Sequence, residues 1–246
     1  MIKIIIMLTK FIIAATFALL MSSCNFKIDF GDGEKGNGKI TTEVRTIKEE
    51  FSSIDVNSAI EVILEQSNDK FVSVEADENL QKLIDTKVEN GVLKIEPNKS
   101  INASKKVKII IRMPKIEGLQ ASSSSKIIGN GTFKGDAISI DASSAAEVDV
   151  KLEYDDIILD TSSSGHIKTK GISLKLEISA SSASQIEANE LLVNEVTADV
   201  SSGGNIKIHP IVSLNGSASS GGSIRYDIEP KSITKDESSG GNVGRD

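Results

Sequence analysis

The sequence predicts an all-β protein: a right-handed, single-stranded parallel β-helix of about 19 residues per turn, preceded by a β-rich cap region. Three observations predict it. One phrase, two serines, two small residues, a polar residue and then Ile or Val, occurs seven times from Ser122 onward. Successive first serines lie 21, 19, 19, 20, 18 and 19 residues apart. Apolar residues keep fixed distances from the phrase on both sides. A short, regular period is the mark of units that cannot bury their apolar face alone and therefore stack.

Residues 1–23 read as a lipoprotein signal peptide, with Lys3 and Lys10, an apolar run from Phe11 to Met21, then Ser22 and Ser23. The run is too short for a membrane-spanning helix. Cys24 is the only cysteine, and Leu20-Met21-Ser22-Ser23-Cys24 resembles a bacterial lipobox, in which the cysteine is lipidated and becomes the mature N-terminus. The expected membrane partner is thus reached through an N-terminal lipid, with the protein held at the outer membrane of the cell envelope. Which face it occupies stays open. Losing the signal segment with its two lysines takes the formal charge from −7 to −9. That balance argues against nucleic acid as a partner. Residues 24–45 carry glycines among charges and are expected to be a flexible tether.

Residues 46–118 are β-rich but leave the repeat. Ile60–Glu65 and Phe71–Glu75 alternate as strands do, and Ser67-Asn68-Asp69 joins them. Asn79 to Ile84 is expected to hold a short helix. Asn90-Gly91 stands between alternating runs, a strong hairpin signal. Val107 to Met113 reads as a further strand closed by Pro114. These strands are expected to cap or continue the first turn of the coil. Asp55 to Val62 reads as a degenerate copy of the repeated phrase.

Residues 119–246 carry the repeats. Five residues after each first serine stand Ile127, Val148, Ile167, Ile186, Ile206, Ile224 and Val243, the expected core stack. Polar residues alternate with the apolar ones on both sides of the phrase, which reads as strand, turn, strand. Helical repeats are excluded, since serine and glycine pairs would break them at every period. The corner serines Ser122, Ser143, Ser162, Ser181, Ser201, Ser219 and Ser238 are expected to hydrogen-bond backbone groups left unpaired by the bend. Serines repeated at every turn are not all nucleophiles.

The run Phe51-Ser52-Ser53-Ile54-Asp55-Val56, the segment Val74 to Leu80, the Asn-Gly hairpin and the SSGGNI-type corners together resemble the head GIN-domain family of "putative autotransporter adhesins". The resemblance covers about Phe51 to Asp246. It implies an envelope lipoprotein with a β-helical body, and an adhesin-like role by analogy.

Little in the chain points to chemistry. His166 and His209 are the only histidines and stand on different columns, so neither a metal site nor a cofactor is expected. Trp is absent and Tyr154 and Tyr226 are the only tyrosines, which leaves few rings for stacking sugars or bases. The expected function is therefore a noncatalytic, adhesin-like binding or scaffold module with an extracellular glycan or protein ligand. Its contacts would spread over Lys126, Glu147, His166 and Gln185 or over the opposite aspartate column. One alternative is a polysaccharide-cleaving β-helix enzyme using Asp141 and Asp160, which share an outward column on neighbouring turns at about the ~5 Å spacing of a retaining glycosidase pair. Another is a periplasm-facing envelope accessory protein.

Overall fold

The computed structural model describes residues 33–246; the signal-like segment, Cys24 and the start of the tether lie outside the described residues. Eighteen strands follow in chain order. The first nine are β1 (Glu34–Lys35), β2 (Ile40–Val44), β3 (Ser53–Val56), β4 (Glu61–Gln66), β5 (Phe71–Asp77), β6 (Ile84–Glu89), β7 (Val92–Pro97), β8 (Ile101–Asn102) and β9 (Lys108–Met113). Then come β10 (Gly118–Ala121), β11 (Lys126–Ala142), β12 (Glu147–Thr161), β13 (His166–Ala180), β14 (Gln185–Val200), β15 (Asn205–Ala218), β16 (Ser223–Tyr226), β17 (Ser232–Glu237) and β18 (Asn242–Arg245).

From β10 onward the chain is a parallel β-solenoid. The long strands β11 to β15 each run from one serine corner round to the next, and each pairs in parallel with its successor. The pairing register is the one the periodicity requires: Ile127 opposes Val148, then Ile167, Ile186, Ile206, Ile224 and Val243. All seven are buried, none more than 3% exposed. Burial of such a side chain contributes about 1.5–3 kcal/mol before the entropy of ordering its turn is counted. A second column, Leu119, Ile140, Leu159, Ile178 and Ala198, faces it across the interior.

The corners are made by backbone, and this corrects the role expected of the serine hydroxyls. In every corner the second and third residues have positive φ, from Ser123 (54°) and Ser124 (61°) to Ser239 (48°) and Gly240 (78°). The fourth amide then donates to the first carbonyl, as from Ala146 to Ser143 at 3.0 Å. Two successive positive φ values closed by that bond describe a type I′ turn. The remaining polar groups pair between turns. The first serine's amide donates to the carbonyl of the residue before the corner one turn below, at 2.9–3.2 Å in all seven. The third amide donates to the second carbonyl of the next corner, as from Ala145 to Ser163 at 3.1 Å. Nothing is left for most hydroxyls to satisfy. The exceptions are Ser122, whose hydroxyl meets the Asn57 side chain, and the fourth-position serines. Of these, Ser125 donates to the Val56 carbonyl and Ser184 to the Thr161 carbonyl. Side chains at the corner are small because two left-handed residues are adjacent and the fourth position is pressed against the turn below.

The N-terminal strands both extend and cap the solenoid. β3 and β4 form a complete turn below β10 and β11, with Ile54 opposite Leu119 and Val62 opposite Ile127. The corner between them, Asn57-Ser58-Ala59-Ile60, has the same positive φ pair, 63° and 57°. Below lies a further turn made of β7 and β9, with Leu93 opposite Ile54 and Ile109 opposite Val62. Spatial order therefore departs from chain order: the third pair of strands in space, β10 and β11, continues from the first, β7 and β9, and passes over β3 and β4. The lower edge is closed by antiparallel strands, β6 on β7 and β5 on β9, with β2 outermost.

The Asn90-Gly91 hairpin joins β6 to β7 with φ values of 52° and 77°. β4 and β5, joined by their short loop, are not partners, because β9 lies between them. The helix expected near Asn79 is a single 3-10 turn, Gln81–Leu83. Part of the segment expected as a tether over 24–45 is strand, since β1 pairs with β8 and β2 with β5. Asp77 holds this stretch. Its buried carboxylate accepts hydrogen bonds from the amides of Gly38 (2.7 Å) and Ser104 (2.9 Å) and from the Ser104 hydroxyl (2.6 Å). Burial pushes its pKa up, but these donors outweigh burial and hold it below the ordinary value.

Candidate functional site

Two polar columns and one apolar groove are the surfaces on which recognition can be built. The first column stands just after the serine corner. In it Lys126, Glu147, His166 and Gln185 are aligned in successive turns. They bond mostly among themselves and their neighbours: Lys126 pairs with Glu147 at 2.8 Å and Gln185 donates to Glu187 at 2.7 Å. The His166 Nε2 and, two turns on, the Asn205 Oδ1 are buried without a protein partner. His209 belongs to another column and contacts Asp227 at 2.9 Å.

The second column precedes the corner. Asp55, Gln120, Asp141 and Asp160 are aligned in four successive turns, so the structure does bring Asp141 and Asp160 together. Asp141 is half-buried and its pKa is raised, first by burial and then by the charges of Asp160 and Asp55. This is a carboxylate ladder on an open strand face, and neither Asp141 nor Asp160 lines the apolar groove.

The groove lies on the side of the solenoid away from the serine corner, and sequence reasoning missed it. It encloses about 370 Å³ and is lined by Ile172, Leu174, Leu192 and Ile211, with Glu153, Asp155 and Asn194 at its rim. The four aliphatic side chains are 38–53% exposed, and Val212 beside them is 36% exposed. Large aliphatic residues clustered this way across three turns make a patch of the kind that marks contact sites. Ile172, Leu174 and Ile211 alternate outward with buried neighbours on their strands, and only Leu192 is brought outward by an irregularity of the ladder. Register shifts fall between Lys168 and Lys170, between Ala188 and Leu192, and between Val193 and Glu195. The extra residues in β14 leave Leu191 and Val193 buried and turn Leu192 to the outer face. The signal in the sequence was the loss of alternation in Leu191-Leu192-Val193 and Pro210-Ile211-Val212.

The floor is rigid. Tyr154 is buried and its hydroxyl donates to the Ile116 carbonyl at 2.8 Å. Burial, and secondarily the Glu117 charge, push its pKa up. The Ser173 hydroxyl lies within 3.0 Å of the Asp155 and Lys175 carbonyls, which fixes the crest between Ile172 and Leu174. At the rim Glu153 is paired with Lys134 at 2.5 Å, whereas Asp155 is exposed and has no ion pair among the described residues.

A parallel β-solenoid capped at its lower end, carrying polar ladders and an exposed aliphatic groove, places the chain in the class of β-helical repeat proteins. Residues 50–230 match the family described as "Putative auto-transporter adhesin, head GIN domain". The chain belongs to that family. Solved structures share the fold. A "putative adhesin" from Bacteroides fragilis superposes with a TM-score of 0.81 at 21% identity, covering 87% of this chain and 100% of its own. A "putative adhesin" from Parabacteroides distasonis gives 0.72 at 24% identity, with 87% and 100% covered. A "putative lipid binding protein" from the same species gives 0.68 at 22% identity, with 86% and 98% covered. No curated protein matches the sequence.

Proposed function

We propose that this protein is a noncatalytic, lipid-anchored envelope module that attaches, adhesin-like, to a protein partner through the aliphatic groove around Leu174 and Leu192. The observation that carries this reading is the groove itself. Its apolar side chains are exposed on a floor held by Tyr154 and Ser173, so little ordering entropy is lost on contact. A protein ligand fits better than a glycan, because both tyrosines are buried and the groove wall is aliphatic, offering no ring on which a sugar can stack. Asp155, without an ion pair among the described residues, selects a partner with a basic residue beside its apolar anchors. Membership of an adhesin family supports an envelope location, and Cys24 in its lipobox-like setting supplies the anchor. Many copies on one envelope would add weak contacts into firm attachment.

Cells carrying the wild type and the Leu174→Asp/Leu192→Asp variant, at equal surface amounts, test the reading on protein-coated and glycan-coated supports. Attachment to protein that the variant loses is the expected result. Attachment to glycan alone, unchanged in the variant, overturns it.

A second reading rests on the raised pKa of Asp141 beside Asp160, the arrangement of an acid and a nucleophile in glycoside cleavage. Its test is hydrolysis of a glycan panel by the wild type, abolished in Asp141→Ala/Asp160→Ala. Its weakness is geometric, since the pair stands on an open face with no substrate cleft around it.

A further inference from the structure

The solenoid's upper edge is formed by β17 and β18, and there the repeat changes character. Two inward-facing columns, apolar in the coil except at Thr161, end in charges: Gly216 is followed by Lys235, and Ala218 by Glu237. Below them the column narrows from Ile178 to Ala198 to Gly216, and Val243 and Ile224 close over the space that a side chain at Gly216 would fill. Lys235 and Glu237 thus stand where the next apolar layer would begin.

Their contacts are specific. The Lys235 ammonium donates to the Val243 carbonyl at 3.0 Å and to the Tyr226 hydroxyl at 3.0 Å, and lies 5.0 Å from the centre of the Tyr226 ring. The Glu237 carboxylate accepts the Val243 amide. Both groups of Val243 point away from the stack. In a parallel ladder alternate residues bond to opposite neighbours. The amide of Asn242, just before Val243, and that of Asp246, further along the same strand end, donate downward, to the Gly222 and Tyr226 carbonyls. The intervening Val243 N–H and C=O are therefore the groups that one more strand would engage, as the equivalent residue Ile224 is engaged by β18 below.

We propose that Lys235 and Glu237 form a charged plug that takes over the edge hydrogen bonds of Val243 and so prevents a second copy of this chain from adding its own edge strand there. The excluded partner is a like edge. A long parallel stack ending in open N–H and C=O groups is a template for any strand of similar register, and an identical protein at high density on an envelope is the most abundant such strand. Pairing through this edge would bury two charges from each copy against an apolar layer, which opposes it at every encounter. The plug differs from the antiparallel cover at the lower edge, where β5, β6 and β2 do the same work with backbone.

The test compares the full-length chain in non-ionic detergent with Lys235→Ala/Glu237→Ala by sedimentation velocity over a wide concentration range. The expected result is a wild type of constant size and a folded double variant that associates as concentration rises. A folded double variant that stays the size of the wild type overturns the proposal. Should the variant lose its β circular dichroism, exchange of the Val243 amide in the wild type decides. Protection at least about tenfold above that of an open edge amide supports the plug, and free exchange overturns it.

Discussion

The Ala59 amide donates to the Ser123 carbonyl at 2.9 Å, which stacks a corner spelled Asn-Ser-Ala-Ile directly beneath one spelled Ser-Ser-Ser-Ser. The same bond recurs upward through Ser124 to Ser144 and Ala145 to Ser163. What these corners share is a backbone conformation, and spelling follows from it only loosely.

Ile186→Asp should unfold the coil. Ile186 is fully buried between Ile167 and Ile206, and a carboxylate there has no partner. The expected loss exceeds about 4 kcal/mol, beyond that of ordinary core truncation. Chemical denaturation followed by circular dichroism measures it. A midpoint equal to that of the wild type would show that the side chain does not point inward.

Two adjacent glycines separate close approach from backbone strain. A Cβ on Gly204 would lie 2.6 Å from the Ala180 carbonyl oxygen, whereas one on Gly203 meets nothing within 4 Å. Gly203→Ala then carries only the cost of a left-handed alanine, about 1–2 kcal/mol, already accepted at Ala145 and Ala183. Gly204→Ala must displace a neighbouring turn and should cost more, by about 1–3 kcal/mol of overpacking. Denaturant midpoints of the two variants give the order, and the reverse order refutes this account of the corner.

Asp141 should make stability fall as pH rises. Its folded pKa is raised, so between the unfolded and folded values the native state binds more protons than the unfolded one. Stability then declines with pH across that window, and the full penalty applies above it. Asp141→Asn removes the penalty and should gain on the wild type as pH goes from 4 to 7. A gain of the same size at both pH values would exclude this carboxylate as the cause.

Cys24→Ser should abolish anchoring. Metabolic labelling with a fatty-acid analogue is expected to tag the wild type and miss the variant, which then leaves the membrane fraction. Equal labelling of both would place the lipid elsewhere or remove it.

The column from Ile127 to Val243 was legible because seven copies preserve a period that chance does not. Its extension to Val62 and Ile109 was only half legible. Asp55 to Val62 could be read as a worn copy of the corner, but no local feature reveals that β3 lies between β7 and β10, since those pairings join distant parts of the chain. The serine hydroxyls misled for a different reason. Sequence names the donors a corner carries, yet here inter-turn amides reach the same carbonyls first. The groove was hidden because a one-residue slip decides whether Leu192 faces in or out, and slips leave almost no trace in a list of residues.

The strand order β7, β3, β10 gives assembly of this coil a direction. A solenoid wound in chain order can start from any turn and grow both ways. Here the downward end is sealed by β5 and β6 before the chain returns to lay β10 on β3, so elongation has one open front. The process is a living polymerisation in miniature: an initiator formed by residues 51–113, monomer units added one turn at a time, and a terminating unit. Coil length is then written by the number of phrases between initiator and terminator, and whole phrases can be inserted or deleted between Ser122 and Ser219 while both ends keep their chemistry. Variation in coil length becomes available to evolution in steps of one strand spacing, about 4.8 Å.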